Sequence, residues 1–130
     1  MKGKDLLSIS DFAREDVLSL LSDAADTKSS GTWTTALKRK VLALVFEKPS
    51  LRTRVSFELA MRQLGGQVIY LSPAEVGLGH RESVPDVTRV LNRFVNVLAV
   101  RTFSHDTLEV MANHSDIPII NALSDLEHPC

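Results

Sequence analysis

VLALVFEKPSLRTRVSFELAMRQLGGQVIYL, residues 41–71, is the stretch whose reading decides the fold. Its opening VLALVF is apolar without a break and rich in Val and Leu, which suits an interior parallel strand covered on both faces. Lys48, Pro49 and Ser50 stop that run. Beyond them Phe57, Ala60, Met61 and Leu64 fall at i, i+3, i+4 and i+7, the spacing of one buried helical face. Val55 and Leu59, four apart, widen the apolar side. Gly65 and Gly66 close the helix, and QVIYL at 67–71 predicts a second strand. Strand, helix and strand in that order make a βαβ unit.

The same punctuation continues on both sides. Residues 74–83, AEVGLGHRES, carry two glycines and little periodicity, which predicts a mobile loop. Val87, Val90, Leu91 and Phe94 then repeat at helical spacing, with Pro85 tolerated in the first turn. NVLAV at 96–100 predicts a third strand and IPIIN at 117–121 a fourth. Between them a helix over 106–114 turns Leu108, Met111 and Ala112 inward. Upstream, residues 11–27 put Val17, Leu18, Leu21, Ala24 and Ala25 on one helical stripe, with Asp11 placed to cap it and 29–32 as the loop that ends it. The expected fold is α/β: a four-stranded parallel sheet with helices on both faces, in three layers α/β/α. In such sheets ligands bind outside the C-terminal ends of the strands, which nominates 47–53, 72–83, 101–105 and 121–130.

The 130 residues, 44% apolar and 24% charged, suffice for one domain with a core. Fifteen Lys plus Arg against sixteen Asp plus Glu give a net charge of -1, without the basic excess of a nucleic-acid binder. One strip departs from that balance: 102–130 has five acids and no Lys or Arg. The single cysteine, Cys130, excludes an intramolecular disulfide and reads as a free thiol in a reducing compartment. No apolar run approaches membrane-spanning length, and no signal-peptide core opens the chain. A cytoplasmic domain with no membrane or nucleic-acid partner is the expectation.

EKPSLRTR, residues 47–54, carries the most chemical information. It sets Ser50, Arg52, Thr53 and Arg54 where a strand gives way to a helix. Unpaired N–H groups and the helix dipole favour an anion there, hydroxyls add donors, and a guanidinium matches phosphate oxygens. The alternative is a Ser50 that only caps the helix and arginines that are only solvated. Arg54 cannot share the helical face of Arg52 and reads as a separate, supporting residue. The spacing lacks a P-loop's GxxxxGK[ST], and the chain has no GxGxxG, no GxSxG and no metal-ligand spacing. Arg101 ends one apolar strand and His128 follows another. Each has a plain structural explanation, and at one sheet edge the two could meet a bound phosphate and its neighbouring carbonyl. His105 and His114 read as surface residues.

With SLRTR at 50–54, FEKP before it and VSFELAMRQLGG after it, the sequence resembles the carbamoyl-phosphate-binding domain of the aspartate/ornithine carbamoyltransferase family, and the ornithine branch most. GHRES at 79–83, VRTFSH at 100–105 and NALSDLEHPC at 121–130 match in order, so the resemblance covers essentially everything from Leu42 onward. It implies that Ser50, the Leu51 N–H, Arg52 and Thr53 hold the phosphate of carbamoyl phosphate. Arg101 would contact phosphate and carbonyl, and His128 the carbonyl oxygen, which makes Arg52, Arg101 and His128 the implied catalytic residues. No metal and no cofactor are implied. The acceptor would be an amino acid, L-ornithine foremost, and the full-length assembly a homotrimer or a multiple of trimers.

Two departures bear on this. Leu51 replaces the family's usual Thr, a change also found in enzymes acting on acylated ornithines. The 72–83 loop reaches a neighbouring subunit's site in the family, and ornithine enzymes often carry Gln or His where this chain has Gly77, so His80 or Arg81 would have to substitute. The resemblance further implies that 1–130 is a truncated donor-binding domain lacking a second, ornithine-binding domain. A stand-alone phosphate-binding module without catalysis is the reading from another functional class, and a regulatory or assembly domain a third.

Overall fold

In the computed structural model, which describes residues 3–129, four strands form one sheet. They are β1 (Val41–Phe46), β2 (Gln67–Leu71), β3 (Val97–Arg101) and β4 (Ile119–Leu123), in the order β2-β1-β3-β4 with every neighbouring pair parallel. The helices are α1 (Arg14–Ser30), α2 (Leu51–Gln63), α3 (Pro73–Val76), α4 (Val84–Leu91) and α5 (His105–Asn113). The three-layer α/β/α architecture expected from the apolar runs is the one observed.

Alternation along β1 sorts the core into two halves. Leu42, Leu44 and Phe46 pack with Met61 and Phe57 of α2. Ala43 and Val45 face the other way, into a cluster with Leu98, Val100, Leu108, Met111 and Ile119, against which Val87 and Leu91 of α4 pack. Leu108 and Met111 are fully buried, so truncating either to Ala would cost about 2–5 kcal/mol. From β1 the chain crosses to β2 on one side. From β3 it crosses to β4 on the other. The turns leaving β1 and β3 therefore part at the topological switch point, where such sheets hold ligands.

Several expectations are corrected. The α1 stripe buries nothing: Leu18 and Leu21 are 49% and 60% exposed, because no element of the described chain covers that face. Asp11 does not cap α1; its carboxylate accepts from the Ser8 N–H within a preceding 3-10 turn, and Ala13 is the N-cap. Ser29 and Ser30 continue the helix until Gly31, at φ 61°, ends it. On α2 Val55 and Leu59 lie outside the buried face at 45% and 47% exposure and Ala60 is exposed too; Val90 of α4 is likewise exposed, and α4 ends at Leu91, which leaves Phe94 exposed in the turn beyond it. The 72–83 segment is not free loop. Ser72 and Glu75 cap α3, and Val76 and Leu78 are buried in the core.

Two further features shape the edge of the sheet. Residues 5–7 lie against the outer edge of β4: the Leu6 N–H donates to the Ile119 carbonyl at 2.8 Å, and the Asn121 N–H donates to the Leu6 carbonyl at 2.8 Å. Strand β4 also carries a bulge, since Val100 pairs with Asn121 but Arg101 with Leu123. Among the described residues no helix is long and apolar enough to cross a membrane. Cys130 lies outside the described residues.

Candidate functional site

Strand β1 delivers the chain to α2 through Glu47, Lys48, Pro49 and the N-cap Ser50, whose φ and ψ of -155° and 120° are extended. Ser50 is the residue type that normally caps a helix, yet its side chain makes no capping hydrogen bond. The first turn that follows is Leu51, Arg52, Thr53, Arg54, with no acid. Every other helical segment among the described residues has an acid in its first turn: Asp11, the Glu15 and Asp16 pair, Glu75, Asp86 and Asp106. Acids belong at helix starts because they offset the dipole and the unpaired N–H groups. At α2 both the acid and the side-chain cap are missing, and two guanidiniums stand in the turn. Exogenous negative charge would supply what the sequence withholds.

The remaining expected residues distribute unequally around that turn. Arg101 ends β3 directly opposite Phe46, and its carbonyl accepts from the Glu47 N–H at 2.8 Å. The Arg101 Nε is buried and, among the described residues, has no hydrogen-bond partner. Thr53 is buried in the α2 turn, whereas Leu51 and Arg52 are exposed. His128 is exposed in the segment that leaves β4 at the same end of the sheet. That segment is shaped by a closed turn in which the Ser124 N–H donates to the Glu127 carbonyl at 3.0 Å.

Arg54 stands apart, as its offset from Arg52 implies. Its Nε donates to Glu58 Oε1 at 2.7 Å, and its guanidinium lies 3.9 Å from the Tyr70 ring centroid. The Glu58 hydrogen bond, foremost, raises its proton affinity. A hollow of about 500 Å³ lined by Arg54, Glu58, Arg62 and Tyr70 belongs to this side of the molecule. None of Ser50, Arg52, Thr53, Arg101 or His128 lines it, so this hollow lies apart from the start of α2.

After β2, Gly77 ends α3 in the left-handed region at φ 51°. A β-carbon there would meet Arg81 Cγ and Cδ at 3.0 Å, so glycine lets the Arg81 stem fold back against the turn. The His80 and Arg81 N–H groups both donate to the Gly77 carbonyl at 3.0 Å, and both side chains are exposed. His105 and His114 are not simple surface residues: His105 Nδ1 lies 2.9 Å from Ser124 Oγ, and His114 Nδ1 lies 2.8 Å from the Val110 carbonyl. Among the described residues no group of three or more His, Cys, Asp or Glu could hold a metal ion. Glu47 was not singled out from sequence, although its position between the strand and the anion turn was a signal.

An open parallel sheet with an uncapped, acid-free helix start at its switch point is the arrangement in which α/β domains receive anionic ligands. The family model for the aspartate/ornithine carbamoyltransferase carbamoyl-P binding domain matches residues 4–130. The ornithine carbamoyltransferase of Synechocystis is 52% identical over all of this chain and 42% of its own length. Among solved structures, that of ornithine carbamoyltransferase from Thermus thermophilus superposes with a TM-score of 0.92 at 47% identity, covering 99% of this chain and 45% of the other. That from Pyrococcus furiosus gives 0.93 at 39% identity, covering 98% and 42%. The chain belongs to the aspartate/ornithine carbamoyltransferase family and spans less than half the length of these relatives.

Proposed function

We propose that the chain is the donor-binding half of an ornithine carbamoyltransferase, which converts carbamoyl phosphate and L-ornithine to L-citrulline and phosphate. The observation that carries this reading is the start of α2, uncapped and free of acids, beside Arg101 at the switch point. Ser50, the Leu51 N–H, Arg52 and Thr53 hold the phosphate. Arg101 reaches from phosphate toward the carbonyl, and His128 meets the carbonyl oxygen. The uncharged δ-amine of ornithine, presented by a second domain, attacks the carbonyl carbon. The C–N bond forms, the bond to phosphate breaks, and the proton lost by the amine ends on the released phosphate. Arg52 and Arg101 neutralise the leaving phosphate, while Arg101 and His128 stabilise charge on the carbonyl oxygen. The chemistry is positioning and electrostatics, with no intermediate covalently bound to the protein. In a homotrimer the segment carrying Gly77, His80 and Arg81 would face a neighbouring subunit's site.

A phosphate titration by calorimetry tests the cradle. Arg52→Ala should cost about 1.5–3 kcal/mol of binding, the range for hydrogen bonds to charged groups, whereas Leu51→Thr should change little because that position contributes its N–H. Equal binding by the parent and Arg52→Ala would exclude this turn as the phosphate site.

A further inference from the structure

The turns after β1 and β3 are joined by one carboxylate. Glu47 Oε2 accepts from the Thr102 hydroxyl and from the Phe103 N–H, the latter at 3.1 Å. The Glu47 N–H donates to the Arg101 carbonyl, so a single residue grips Arg101, Thr102 and Phe103 in succession. Lys48 adds to the grip with its ammonium 4.7 Å from the Phe103 ring centroid. Thr102 is fully buried, and its own N–H donates to the Leu123 carbonyl at 2.9 Å, which ties the same point to β4. The backbone bond alone would merely extend the β1–β3 ladder. The side-chain bonds do more, because they hold the chain just past Arg101 to the residue three before Ser50.

This arrangement has an electrostatic oddity. A carboxylate beside an anion site opposes binding, so its presence calls for a compensating role. Its donors supply one: two hydrogen bonds that satisfy Oε2 fix where β3 ends, and hence where the Arg101 guanidinium starts from. Arg101 needs that help, since its buried Nε has no partner among the described residues to orient it. We propose that Glu47 is a positioning residue that sets Arg101 against the 50–53 turn, a role that rests on the carbamoyl phosphate reading above. Glu47 touches neither phosphate nor carbonyl; it acts through Thr102 and Phe103.

The test is a double-mutant cycle on the 130-residue chain with inorganic phosphate as the probe, joined to NMR relaxation of the Arg101 Nε–Hε group without ligand. Arg101→Ala should weaken phosphate binding at least fivefold in the parent and less than twofold in a Glu47→Ala background. Arg52→Ala should cost the same factor in both backgrounds. Glu47→Gln, which keeps an acceptor oxygen, should restore the Arg101 effect. Unchanged cost of Arg101→Ala in both backgrounds would overturn the proposal, as would an equal collapse of the Arg52 effect, which would mean that the whole turn had moved. Without ligand, the Nε–Hε order parameter should fall in Glu47→Ala and recover in Glu47→Gln. No fall would overturn the proposal whatever phosphate does. A parent chain that ignores phosphate would instead overturn the functional reading, and the ligand-free relaxation would still decide the role of Glu47. Should Glu47→Ala fail to fold, Thr102→Val removes the hydroxyl donor from the other side and is read in the same way.

Discussion

His105 Nδ1 and Ser124 Oγ stand 2.9 Å apart, and the His105 N–H donates to Asp125 Oδ1 at 2.7 Å, so the segment after β4 is fastened to the first turn of α5. The N-cap of α5, Ser104, makes no side-chain capping bond; the acceptor comes from twenty residues downstream instead. One contact thus finishes a helix and places the segment that carries His128.

Replacing that acceptor tests both functions. Asp125→Ala should lower stability by about 0.5–2 kcal/mol, the usual cost of a lost N-cap, read from urea denaturation. The His128 ring should gain motion in NMR relaxation while His114, bonded within its own helix, does not. A stability loss with unchanged His128 relaxation would show that the cap and the placement are independent.

The strands were legible because each interior strand of a doubly covered parallel sheet must be apolar on both faces, and VLALVF shows this without ambiguity. The end of β4 was harder. Asn121 is the last residue of the expected strand IPIIN, yet β4 runs on to Leu123 and buries Asn121 fully, its side chain donating to the Leu7 carbonyl at 2.9 Å and accepting from the Leu123 N–H at 3.0 Å. One of those partners, the Leu7 carbonyl, lies more than a hundred residues away in sequence, and no local pattern announces it. The α1 stripe misled for the opposite reason: helical spacing signals an apolar face, not a neighbour to cover it. At the site, the strand-to-helix change at 47–54 was readable, whereas the Glu47 grip on Thr102 and Phe103 depends on which strand lies beside β1.

Gly65 is required by both conformation and space. It sits at φ 80°, and a β-carbon there would lie 3.0 Å from Thr35 Cα and 3.1 Å from the Thr34 carbonyl oxygen, both backbone atoms that cannot swing aside. Gly65→Ala should therefore destabilise by about 1–3 kcal/mol in chemical denaturation. Gly31, also at positive φ but with open space around a β-carbon, should suffer the smaller loss on the same substitution.

Acid should loosen the segment after β2. The Ser72 hydroxyl donates to Glu75 Oε2 at 2.6 Å and the Ser72 N–H at 2.7 Å, and these bonds hold the Glu75 carboxyl below its ordinary value of 4.5, the hydroxyl bond foremost. A depressed carboxylate contributes its stabilisation fully above the ordinary value, and that contribution is lost as pH falls through the lower, folded value. Carbon-13 titration of the Glu75 carboxyl should give a midpoint below 4.5, and Ser72→Ala should raise it. Identical midpoints in the two proteins would refute the capping-box origin of the shift.

The last expectation concerns turnover by the chain alone. In the proposed reading the start of α2, Arg101 and His128 hold the donor, and nothing among them fixes the amine of an acceptor at the carbonyl carbon. Orienting two reactants is worth on the order of 7–11 kcal/mol of barrier, so a site that binds one partner forgoes most of its acceleration. Charge stabilisation by the arginines acts on a transition state that the free amine must still reach by collision. The 130-residue chain should consequently bind phosphate yet form no citrulline from carbamoyl phosphate and ornithine above the uncatalysed rate. A colorimetric citrulline assay on rigorously purified chain, with Arg52→Ala as the blank, makes the comparison. Product that exceeds the blank and scales with chain concentration would place the acceptor site inside these residues. It would also demand groups that bind an amino acid at the same end of the sheet, where the exposed His80 and Arg81 would be the first to examine.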